Sequence, residues 1–74
     1  MQEIDILRDK WKQCKNELNY QWAQLTADEL EQVDGQRDNL VILLEHRYGY
    51  TRRRAEKEVE LFVTEFLDKL RRAS

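Results

Sequence analysis

The chain carries one thiol, Cys14, and one imidazole, His46. A thiol beside a histidine is the smallest set that could make a nucleophile and its base, but such a pair needs a third group to orient the imidazole. The sequence offers none. Cys14 lies on an apolar stripe between Trp11 and Leu18, where a cysteine ordinarily acts as a small hydrophobe. His46 falls in the last turn of an expected helix, where positive charge is favoured by the dipole. One cysteine and one histidine far apart supply no metal-ligand cluster at a recognisable spacing. The acids Asp28, Glu29, Glu31, Asp34 and Asp38 lack the alternating ligands of a calcium loop. The expectation is a protein that is not an enzyme and has no catalytic residues, metal or cofactor.

The sharpest polar feature is "GYTRRRAEKE", residues 49–58, with Arg52, Arg53 and Arg54 at a helix start. The amino end of a helix carries partial positive charge, so arginine has the wrong sign there. An anion at that point would gain from guanidinium groups, exposed amides and the dipole together. However, successive helical residues point about 100° apart, so the three side chains fan out and do not line one groove. Arg52 and Arg54 each precede a glutamate by four residues, Glu56 and Glu58, in the weaker base-before-acid order. Arg52–Arg54 are therefore candidate anion-binding residues, weighed against a solvated helix start. The aromatics Trp11, Trp22, Phe62 and Phe66 fall on helical stripes beside aliphatic residues, which makes them core and not a platform for bases.

Four helical segments are predicted to position these residues. Ile4, Leu7, Trp11, Cys14, Leu18, Trp22 and Leu25 recur at steps of three and four, one face of a helix reaching almost to Leu25. Glu3 and Asp5 suit its start. In "LTADEL", residues 25–30, Thr26 and Glu29 make a capping box, with Leu25 and Leu30 as the staple. That helix runs from about Ala27 to Val33 and is broken by Gly35. The third segment spans about Gln36 to Tyr48. Leu40, Leu43 and Leu44 face inward, and Val41 and Ile42 widen the apolar surface, as in a central helix. Gly49 suits the left-handed residue that ends it, with Tyr50 folding back. The fourth starts at Thr51 and reaches about Arg71, with Ala55, Val59, Phe62, Val63, Phe66, Leu67 and Leu70 on one face and Leu61 off it. Glu65–Lys69 and Asp68–Arg72 are acid-first pairs four apart.

A chain of 74 residues is enough for one domain with a thin core. It has no proline and two glycines, which suits helices joined by short connections. The net charge of −2 provides no global basic field for nucleic acid. Residues 1–50 hold 6 Lys/Arg against 10 Asp/Glu, and residues 51–74 hold 7 against 5. The longest apolar run, Leu40 to Leu44, is too short for a signal peptide or a membrane span, and a single cysteine forms no internal disulfide. A soluble, cytoplasmic protein that binds no membrane is expected.

The residues above resemble the CsbD-like family of small bacterial stress proteins. The likeness rests on "WKQCK" at 11–15, "QWAQLTADEL" at 21–30, "DGQRDNL" at 34–40 and "RYGYTRRRAEKEV" at 47–59. It covers about residues 9–60, and their order and spacing are more specific than any one piece. The resemblance implies an all-α fold, a small bundle of four helices with two helical hairpins packed across each other; residues 1–74 are expected to form a single domain of this kind, with 61–74 as an extended last helix. It also implies association with bacterial general stress responses, with no assigned activity. The expected function is therefore non-enzymatic, acting through association of the helical surface with an unknown protein partner or with itself. The alternative is weak anion or nucleic-acid binding at Arg52–Arg54. The tail beyond residue 60 is longer and more apolar-striped than the family pattern. Phe62, Phe66, Leu67 and Leu70 either complete the core or pair with a second copy as a homodimer.

Overall fold

A computed structural model describes residues 6–73. The described residues form five helices: α1 (Ile6–Asp9), α2 (Trp11–Gln21), α3 (Ala27–Val33), α4 (Arg37–Tyr48) and α5 (Arg52–Ala73). The fold is all-helical, as the periodicity requires, with five helices in place of the expected four. The difference lies at Lys10, whose backbone (φ −115°, ψ 35°) leaves helical geometry. Hydrogen bonds still run through it, from Lys10 N to Ile6 O at 2.9 Å and from Cys14 N to Lys10 O at 2.9 Å. The rotation lets Ile6 and Leu7 both reach the core while Trp11 is only half-buried, where a single straight stripe would have buried Trp11 in line with Leu7 and Cys14. Glu3, Ile4 and Asp5 lie outside the described residues.

α2 ends at Trp22, whose N–H bonds Leu18 O at 2.7 Å, and the Asn19 amide holds the following turn by donating to Leu25 O at 2.8 Å. The capping box of α3 forms as expected. Glu29 N donates to Thr26 Oγ1 at 3.2 Å, and Thr26 N to Glu29 Oε1 at 3.0 Å. Leu25 and Leu30 are both buried behind it. Two left-handed residues in succession, Asp34 (φ 53°) and Gly35 (φ 74°), then turn the chain into α4. α4 ends at left-handed Gly49, whose N–H reaches Glu45 O at 3.0 Å. Thr51 caps α5, accepting the Arg54 N–H at 3.1 Å.

The helices approach one another most extensively in the pairs α4–α5, α3–α4, α1–α2 and α1–α5. Their inward faces meet in one core. Cys14, Leu18, Leu40, Leu44, Ala55 and Val59 are fully enclosed, and Trp22 stands against Phe62 with ring centres 6.1 Å apart. Phe62 stacks in turn near Phe66 at 6.0 Å. Among the described residues no charged or polar side chain is buried. The Cα radius of gyration is 11.9 Å, close to the roughly 11 Å expected of a compact chain of this length. α5 therefore belongs to the body of the fold.

Candidate functional site

The three arginines open α5 directly after the Gly49 turn. Arg52 Nε contacts Glu56 Oε2 at 3.3 Å, the pairing four residues apart that the sequence suggests. Arg54 does something else. Its guanidinium lies 4.3 Å above the Tyr50 ring, and Tyr50 in turn lies 5.5 Å from Tyr48. The two half-buried tyrosines and the arginine make a short ladder across the hinge. A cation over an aromatic face is attracted by the ring quadrupole, which gives Arg54 local employment in place of a pairing with Glu58. Arg52, Arg53 and Arg54 all remain exposed.

The same corner gathers groups from α3 and the segment before it. Tyr48 Oη accepts the Gln24 N–H at 3.4 Å. Arg47 Nε donates to Glu29 Oε2 at 2.6 Å, while the other oxygen of Glu29 closes the capping box. The Arg47 guanidinium and the Thr26 amide hold the Glu29 carboxyl below its ordinary 4.5. Glu29 thus joins a local cap to a tertiary tie between α3 and α4. Nothing in the local spacing of Glu29 and Arg47 signals this, since 18 residues separate them. Lys15–Glu31 and Lys69–Glu17 (2.6 Å) are further long-range ties. Lys69 goes to Glu17 in place of its expected partner Glu65 as the hydrogen-bonding group, whereas Arg72–Asp68 forms at 3.1 Å.

Cys14 is fully enclosed on α2, and burial together with the nearby charge of Glu17 pushes its thiol up to about 11. A thiol that is protonated and enclosed at neutral pH is not poised for attack. His46 is exposed on α4. It lines a shallow groove of about 400 Å³ between α3 and α4, beside Gln32, Asn39, Ile42 and Leu43. Cys14 is enclosed and His46 faces solvent, and no hydrogen bond joins them among the described residues. Among the described residues no group of three or more His, Cys, Asp or Glu side chains could hold a metal ion.

Of the residues considered for self-association, Phe62 and Phe66 are buried in the chain's own core, at 3% and 5% exposure. Leu70 is half-buried against the same core, and Leu67 is exposed. Leu61 stands free of the core face, as its position off the stripe predicts, and Tyr20 and Ile42 are the other large exposed apolar side chains among the described residues. Among the described residues no helix is long and apolar enough to cross a membrane.

Fold and corner together define a small all-helical protein whose polar side chains cap and tie its helices. The "QWAQLTADEL" and "RYGYTRRRAEKEV" stretches meet at this corner, through Glu29–Arg47 and Gln24–Tyr48. UPF0337 protein YjbJ of Salmonella typhimurium is 42% identical over 59 residues, covering 80% of this chain and 84% of that protein. A UPF0337 protein of Pectobacterium atrosepticum is 48% identical over 56 residues, 76% of this chain and 81% of that one. UPF0337 protein YjbJ of Escherichia coli K12 is 47% identical over 49 residues, 66% of this chain and 71% of that one. No family model matches the chain, and no solved structure matches it. The chain belongs to the UPF0337 family, which is the CsbD-like family. The names of these relatives state no activity.

Proposed function

We propose that this is a non-enzymatic, cytoplasmic protein associated with the bacterial stress response, acting by association of its helical surface with a second copy or another protein. The observation that supports this is the set of large apolar side chains left outside the core, Ile42 beside the α3–α4 groove and Leu61 and Leu67 on α5. The enclosure of Cys14, whose thiol burial keeps protonated, and the exposure of His46 favour association over catalysis. Leu67 is the residue on which self-association turns, because Phe62 and Phe66 are already covered. Light scattering over a range of concentrations tests the homodimer: mass should rise with concentration in the wild type and stay monomeric in Leu67→Lys. A monomeric mass throughout defeats self-association. Complementation of a deletion strain under general stress tests the wider reading. Cys14→Ala and His46→Ala should complement, and Ile42→Lys should not.

The alternative, weak anion or nucleic-acid binding at Arg52–Arg54, is supported by the exposure of all three guanidinium groups beside the start of a 22-residue helix. It is weakened by the engagement of Arg52 with Glu56 and of Arg54 with Tyr50. Binding to DNA and RNA titrated with salt decides it. Replacing all three by alanine should reduce affinity and flatten the salt slope, and an unchanged slope ends the idea.

A further inference from the structure

We infer that α2 is a separately releasable helix, latched onto the bundle by two ion pairs that rising ionic strength loosens. α2 is the helix whose own ends do least to hold it. Its N-cap residue Lys10 makes no side-chain cap, its first turn has no acid and its last turn no base. At its start the backbone hydrogen bonds of α1 run on through Lys10, while at its end no base offsets the dipole, in contrast to α3 with its capping box and α5 with Thr51 in front and Arg71 and Arg72 behind. Only α1 approaches it extensively along the backbone. What joins it to the rest is the hydrogen-bonded junction with α1, the inward row of Cys14, Leu18 and Trp22 with half-buried Trp11 beside it, and two charges that reach outward to other helices.

Those charges are Lys15, which pairs with Glu31 of α3, and Glu17, which pairs with Lys69 of α5 at 2.6 Å. Two residues apart on a helix means about 200° around its axis, so the ties leave α2 on opposite flanks. Both are at the surface, where dissolved salt screens them. The Lys15 ammonium holds the Glu31 carboxyl below its ordinary range, and the Glu17 carboxylate holds Lys69 above its own. Two exposed pairs of this kind together shift an opening equilibrium by roughly twofold to thirtyfold. Release uncovers the thiol of Cys14 and the Phe62 face that Trp22 covers, an apolar surface absent from the closed form.

Cys14 is the reporter, because a maleimide reaches it only when α2 lifts. Its labelling is followed at constant pH and at 0.05–0.5 M NaCl, beside hydrogen exchange at the Leu44 and Val59 amides as a measure of opening of the α4–α5 core. The expected result is a Cys14 protection at least about tenfold below that of the core amides, with labelling that quickens several-fold as salt rises. The double variant Lys15→Gln/Lys69→Gln should label fast already at low salt and lose the salt dependence. Cys14 protection equal to that of Leu44 and Val59, or the same salt slope in variant and wild type, overturns the latch. Should the double variant fail to fold, the wild-type comparison of Cys14 with the core amides decides alone.

Discussion

The two glycine turns of this chain have similar backbones and different environments. Gly35 and Gly49 both take the left-handed conformation, at φ 74° and 68°, and both follow a helix. Around Gly35 the bundle is closed: a Cβ there would stand 3.0 Å from the Arg8 Cα, 3.5 Å from Leu7 O and 3.5 Å from Trp11 Cβ. Around Gly49 nothing lies within 4 Å. The first glycine lets α1 press on the α3–α4 turn. The second only reverses the chain, and its corner is held by side chains: the Glu29–Arg47 pair, Tyr48 on the Gln24 amide and Arg54 on Tyr50. One corner is steric and the other polar, so the same substitution should meet different resistance at each.

Gly35→Ala should have the largest effect, a loss of about 2–4 kcal/mol in urea unfolding. Left-handed strain adds there to a contact that backbone must move to relieve. Gly49→Ala should cost about 1 kcal/mol, the strain alone. Equal costs at the two sites would dissolve the comparison. Arg54→Ala should cost about 0.5 kcal/mol by the same measurement, the value of an exposed cation over a ring. The last effect appears only in acid. Glu29 is held below its ordinary 4.5 in the folded chain, so its contribution is complete above that pH and is lost as pH falls through the folded value. Glu29→Gln should flatten the acid limb of the stability curve below pH 4.5, whereas Gly35→Ala should differ from wild type by the same amount at every pH.

Much of the fold is legible in the sequence because its signals are local. Thr26 and Glu29 are three apart, and the capping box they suggest is the one that forms, with α3 spanning Ala27–Val33. Gly49, Thr51, the stripe Ala55, Val59, Phe62 and Phe66 of α5 and exposed Leu61 follow from the same short-range rules, whereas Leu67, expected on that stripe, lies at its edge and is exposed. What the residues conceal is tertiary. Gly35 reads as a helix break, but its approach to Arg8 depends on a helix 27 positions earlier in the chain. The interruption at Lys10 has no glycine or proline to announce it. Lys69 and Arg54 each had an acid at helical spacing, yet they meet Glu17 and Tyr50 because packing placed those closer. At the candidate site, sequence located the arginines and the fold-back of Tyr50. It did not show that Glu29 and Arg47 join the same corner, since ion pairs between distant segments leave no period to read.

The contact of Trp22 with Phe62 has a consequence for the making of the protein. Some 40 residues separate the two rings along the chain. At a synthesis rate of 5–20 residues per second, α2 emerges about 2–8 s before the aromatic side chain that covers it. A helical fold of this size closes in micro- to milliseconds once its parts are present. During each round of translation, then, Cys14, Leu18 and Trp22 precede by thousands of folding times the helix that completes their enclosure.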